Sequence, residues 1–289
     1  MIDFHTHIGR LHVSLKPLTS DILVSTMDKL GIEKSVVLPI ENPEEVQFYS
    51  TTDYVLSECT KYSERLIPFC SIDPRRGVPE EYANSPNALV RALILNPRKI
   101  LEEYVERGCK GFGECLQGLP IDDARSSKLY YACGELGLPV VLHIMHTFIN
   151  YDEVHLPGLE RLLRKHRDTV FIAHANGWWS EISSDVDPTI AYSLPAGKVK
   201  PGGKAVELLE KYENLYADIS AASGYNALTR DPAFGVEFLE RHSQKLLFGT
   251  DYMHDGQELP IVNYIRNAAI SRKAFRAITK ENAEKLLKI

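Results

Sequence analysis

The chain has 289 residues, 44% of them hydrophobic and 25% charged, with a net charge of −6. That is the profile of a soluble globular protein large enough to bury a substantial core. No basic block recommends nucleic acid as a partner, and the longest apolar runs are of strand length, so no membrane span is expected. The N-terminus, with Asp3, His5 and His7, does not read as a signal peptide. Five cysteines (Cys59, Cys70, Cys109, Cys115 and Cys133) without a C-x-x-C pair fit buried thiols in a reducing, cytoplasmic setting.

Eight short apolar, β-branched runs read as parallel strands buried on both faces: 2–8, 34–40, 66–73, 109–116, 139–145, 169–175, 214–220 and 245–251. Helix-like segments separate them. The first, 19–30, opens on Thr-Ser and stops at Gly31, and 97–107 and 122–136 stop at Gly108 and Gly137. Further helices are expected at 45–65, 159–166, 203–212, 233–242 and 259–267, with a closing helix at 273–287. Strand–helix alternation repeated eight times predicts a (β/α)₈ TIM barrel, α/β in class and a single domain over 1–289. A doubly wound sheet is disfavoured because no G-x-G-x-x-G follows a strand, and Gly202-Gly203-Lys204 fails the spacing of a phosphate loop. The long connections 75–96 and 176–200 are candidates for functional loops, the second carrying Trp178 and Trp179, which either cover a substrate or pack the loop.

Alternate residues of a strand share a face, so His5 and His7 project together and can grip one ion. In a barrel the C-terminal strand ends form the active face. There the first strand has His5 and His7, the fourth Glu114, the fifth His143, the sixth His174 and the eighth Asp251. Burying unpaired polar groups is costly, and six of them converging on one barrel end point to a metal site. Asp218 and Ser220 end the seventh strand; His146, Tyr225 and Arg230 are weaker candidates, Arg230 either for an anionic substrate group or for a structural ion pair.

From Asp3-Phe4-His5-Thr6-His7 through Leu142-His143, Ala173-His174 and Gly249-Thr250-Asp251 to Thr279-Lys280-Glu281-Asn282-Ala283, the chain resembles the amidohydrolase superfamily, and its amidohydrolase-2 branch most closely. The resemblance implies a metal-dependent barrel enzyme acting on a small molecule, with one or two divalent cations per chain, Zn²⁺ first and Mn²⁺ as the alternative. It implies that His5, His7 and Asp251 hold one metal. His143 and His174 hold a second, or serve as ligand and catalytic residue in a one-metal site. Many binuclear members bridge their metals with a carboxylated lysine on strand four. Here Lys110 sits too deep, and Gly113-Glu114 resembles the TatD-type branch, where a glutamate ligates the metals. Two activities follow: hydrolysis of an ester, amide or related bond, or, as the alternative, non-oxidative decarboxylation of an aromatic or unsaturated acid with Glu114 off the metal. Such a cation lowers the pKa of bound water toward about 7. Asp251 is then the expected proton-transfer group, and His174 a catalytic group stabilising an oxyanion if the second metal is missing. Nothing in the chain opposes a homo-oligomer.

Overall fold

The computed structural model describes residues 1–76, 80–92, 96–187 and 194–289. Among them all eight expected strands form, each shorter than its apolar run: β1 Ile2–Thr6, β2 Lys34–Val37, β3 Leu66–Pro68, β4 Phe112–Cys115, β5 Val140–His143, β6 Phe171–His174, β7 Leu215–Asp218 and β8 Leu246–Leu247. They pair in parallel in the order β1-β2-β3 and β4-β5-β6-β7-β8. The ring closes through backbone bonds at both seams. Gly113 N donates to Cys70 O (2.8 Å) beside β3, and Phe4 N to Phe248 O (2.8 Å) and Asp251 N to His5 O (2.8 Å) join β8 to β1. The result is the (β/α)₈ barrel.

The helices follow their cap signals. In α1 (Ser20–Lys29) the Thr19 side chain accepts from Ile22 N, and in α5 (Ala124–Leu136) Asp123 caps the start while Gly137, at φ 67°, takes the left-handed exit. The wall also contains α4 (Pro97–Glu106), α6 (Pro157–Lys165), α8 (Lys204–Lys211), α10 (Pro232–Arg241) and α11 (Pro260–Asn267), with a short α3 (Ala88–Ala92) before α4. Three expectations are corrected. The helix expected over 45–65 shrinks to α2 (Thr52–Thr60), because residue 50 bridges back to Ile40 and Glu41 accepts from Thr52 N (2.7 Å). The closing helix is built from α12 (Arg272–Arg276) and α13 (Asn282–Leu287), joined by a π turn at Ala277–Glu281. Among the described residues three α-helices stand where loops were expected: α3 in the connection 75–96, α7 (Ala175–Ser180), directly after β6, and α9 (Ala221–Thr229), after β7. Trp178 and Trp179 lie on α7 fully buried in the core, so they pack the loop rather than present a face to solvent. Within the two long connections, 77–79, 93–95 and 188–193 lie outside the described residues.

Three apolar layers position the site. Ile2, Phe4, Val36, Phe69, Val141 and Ile172 belong to a cluster at the barrel floor. A larger one fills the space between strands and helices. A third, with Leu11, Ile40, Leu116, Met145, Ile149 and Ala175, gathers residues that follow five different strands. On a regular strand Phe4 and His5 would face opposite sides. The β1–β2 register shifts between Asp3 and Thr6, and Phe4 joins the floor while His5 joins the polar cluster described next.

Candidate metal centre

The structure brings together all six residues singled out from the sequence. The Nε2 atoms of His5 and His7 lie 3.2 Å apart. Asp251 Oδ1 is 3.4 Å from His7 Nε2 and 3.7 Å from His5 Nε2. Glu114 Oε2 is 3.4 Å from His7 Nε2 and 3.6 Å from His5 Nε2. The other carboxylate oxygen, Oε1, faces the remaining pair, at 2.6 Å from His143 Nδ1 and 3.5 Å from His174 Nε2. Three triads each converge closely enough to hold one ion: His5, His7 and Asp251; Glu114, His143 and His174; and His5, His174 and Asp218.

Backbone geometry makes this possible at two glycines. A Cβ at Gly113, φ 114°, would lie 2.6 Å from Val141 O, so only glycine lets β4 approach β5 there and carry Glu114 inward. A Cβ at Gly249 would crowd His5 Cβ at 3.1 Å. Beneath the cluster, buried Asp3 ties the β1–β8 seam by accepting from His5 N (3.2 Å), Thr250 N (2.9 Å) and Thr250 Oγ1 (2.7 Å). Burial nevertheless pushes the Asp3 carboxyl up to about 7.

The outer nitrogens of the histidines are held. Asp218 accepts from His5 Nδ1 (2.9 Å) through one oxygen and from His174 Nδ1 (3.0 Å) through the other, and Leu38 O accepts from His7 Nδ1 (3.0 Å). Asp218 is itself fully buried, bonded by the Ser220 hydroxyl and by Ser220 N. Three imidazoles are thereby fixed with Nε2 turned inward, as metal-ligating histidines usually are. The sequence marked Asp218 only as a strand end. The missing step was that one carboxylate on β7 reaches histidines of two other strands, which needs the barrel's closure.

In the chain alone this negative field is met by protons. Burial opposes a charged imidazole, but Asp218 and Glu114 outweigh it and raise His5 well above its ordinary value. Against the same burial penalty, Asp251 and Glu114 raise His7 to about 9, and Glu45 and Glu114 raise His143 to about 9. Burial works against the ionised Glu114 carboxylate, yet His143 and His5 hold it well below the usual range. A cation would take over the role of those protons. The donor set also fits one in spacing: the His5–His7–Glu114–Asp251 separations of 3.2–3.7 Å compare with polyhedron edges of about 3.0–3.4 Å for bonds of about 2.0–2.1 Å.

The weaker candidates fall elsewhere. Lys110 is exposed and outside the cluster. His146 faces Glu181 (3.5 Å) and Asp152 O (3.2 Å). Arg230 forms no ion pair among the described residues, and burial lowers its pKa. Glu45, which the sequence did not single out, is 3.7 Å from His143 Nε2. It also lines a cavity of about 360 Å³ with His12, Glu44, Val46, Phe148 and Ile149.

A closed parallel barrel with histidine and carboxylate donors gathered at its strand ends defines a class, the TIM-barrel metal-dependent hydrolases. The amidohydrolase family model matches residues 2–289, and the chain belongs to that family of enzymes. Solved structures share the fold at low identity. An uncharacterised TIM-barrel protein from Bordetella bronchiseptica is 15% identical, with TM-score 0.67, over 100% of this chain and 99% of its own. A probable 2-pyrone-4,6-dicarboxylic acid hydrolase from Acinetobacter baumannii is 14% identical, with TM-score 0.64 over 100% and 99%. A 2,6-dihydroxybenzoate decarboxylase from Rhizobium is 14% identical, with TM-score 0.58 over 100% and 99%. No curated protein matches the chain. Among the described residues no helix is long and apolar enough to cross a membrane.

Proposed function

We propose that this enzyme hydrolyses an ester, amide or related bond of a small molecule with two divalent cations, Zn²⁺ or Mn²⁺, held on either side of Glu114. The observation carrying the reading is the splay of that carboxylate, one oxygen toward His5 and His7 and the other toward His143 and His174. His5, His7 and Asp251 would hold one cation, and His143 and His174 the second. The resemblance of Gly113-Glu114 to the TatD-type pairing supports the same assignment. When bound, such cations supply an acidified water and polarise the scissile group.

The chain's own residues do the rest. Asp218 and Leu38 O keep the Nδ1 protons of His5, His174 and His7 in place, so the Nε2 lone pairs stay aimed inward. Asp251 is the proton-transfer group: it accepts a proton on its carboxylate and returns it to the leaving group. Its side chain is 13% exposed against 0% for His5 and His7, so within this set it stands on the substrate side. The cavity lined by Glu45, whose carboxylate is 3.7 Å from His143 Nε2, is the space assigned here to the small molecule. Five free, buried thiols support a reducing, cytoplasmic setting.

The test is an assay of metal-loaded protein on esters, lactones, amides, phosphodiesters and aromatic acids, paired with elemental analysis. Hydrolysis with about two metals per chain supports the reading. Carbon dioxide release from an aromatic acid with one metal, unchanged in Glu114→Gln, would instead establish the decarboxylase.

A further inference from the structure

Away from the barrel mouth, a second cavity of about 490 Å³ lies on the outer wall where α4, α5 and α6 meet. Its floor contains Ser127 from the first turn of α5 and His166 from the end of α6, 5% and 6% exposed. Lys165 Nζ donates to Ser127 Oγ (2.8 Å), and Ser127 Oγ lies 2.7 Å from His166 Nε2. A lysine ammonium has only donors, so Ser127 accepts from Lys165 and keeps its own proton for His166. Burial, with Lys165 adding to it, lowers His166 to about 4, which agrees with an unprotonated Nε2. The ring proton then sits on Nδ1, which has no hydrogen bond among the described residues.

Arg98, Lys128, Lys165 and Glu135 line this cavity, and Arg98 is engaged by both Glu135 (3.0 Å) and Glu102 (2.9 Å), so the cation the pocket offers a ligand is Lys165. Lys165 forms no ion pair among the described residues, so its charge is met only by a hydroxyl. The N-terminal end of α4 opens on the same space, adding the positive end of its dipole. Tyr131, 62% exposed, stands at the rim as an apolar wall.

We propose that this pocket binds a small organic anion, a carboxylate or a phosphate ester. The acid group bonds Lys165 and the Nδ1–H of His166, and the apolar part rests on Tyr131. Neither residue belongs to the metal centre, so the proposal stands or falls separately from the hydrolase reading.

The experiment follows the His166 Cε1–Hε1 NMR signal of the metal-loaded protein, assigned with His166→Gln, while inorganic phosphate and benzoate are titrated in separate arms. The expected result is a saturable shift with at least one anion, and which one distinguishes phosphate from carboxylate recognition. Lys165→Met, an exposed substitution, should retain the melting temperature and metal content yet weaken that binding about tenfold or more, as loss of one charge-assisted hydrogen bond does. A signal unmoved by both anions, or moved with equal affinity in Lys165→Met, would overturn the proposal.

Discussion

The two sides of the Glu114 carboxylate are built differently. On one side His5 and His7 are fully buried, and the outer nitrogen of each is fixed, by Asp218 and by Leu38 O. On the other, His174 is fixed by Asp218, but the outer nitrogen of His143 has only Glu45 at 3.7 Å, a carboxylate that is 42% exposed. Orientation given in advance lowers the cost of binding, because less freedom is lost when a ligand arrives. The contrast teaches that, if each side holds a cation as proposed, the His5–His7 side, which also has the Asp251 carboxylate, should bind it more tightly than the His143–His174 side.

Breaking the better-built side should have the largest effect. Replacing both His5 and His7 with alanine should strip the metal while the barrel stays folded, read by elemental analysis and circular dichroism; full retention of metal would remove that side from the centre. Asp251→Asn keeps the shape and one ligating oxygen but cannot accept a proton. It should retain metal and lose turnover by about 10²–10⁴-fold, and near-normal turnover of a metal-loaded variant would refute the role. Asp218→Asn reaches both sides at once, since Asp218 serves His5 and His174. Metal affinity should fall about 10–100-fold at both subsites, whereas an effect confined to one would assign Asp218 to that subsite alone. The smallest effect is expected from Glu45→Gln, under about threefold on the weaker subsite, because the carboxylate is exposed and screened.

Protonation bears on both sides alike. With His7 and His143 each raised to about 9, both carry protons at pH 7 in the metal-free chain. A metal takes the neutral imidazole, so loading must release protons, and affinity should rise with pH through about 9 as His7 and His143 lose their competing protons. Calorimetry at pH 7 in buffers of different ionisation enthalpy checks this, and a heat independent of buffer would contradict it.

The barrel was legible because parallel strands buried on both faces leave continuous apolar runs, and because glycines and cap residues punctuate the helices. The donors were legible as polar residues where those runs stop. What escaped came from contacts between distant segments. Residue 50 returning to Ile40 ended the expected 45–65 helix early. The irregular register near Asp3 places Phe4 and His5 in adjoining interior clusters, which strict alternation does not foresee. Asp218 and Glu45 meet the histidines only once the ring is closed.

The central claim is that Glu114 stands between two cations. The most direct measurement is a crystal structure of the metal-loaded enzyme with anomalous data collected at the metal's absorption edge, beside the same experiment on Glu114→Gln. The account predicts two anomalous peaks flanking Glu114, with the peak beside His143 and His174 weakened or gone in the variant. A single peak that Glu114 does not touch, unchanged by the substitution, would contradict it.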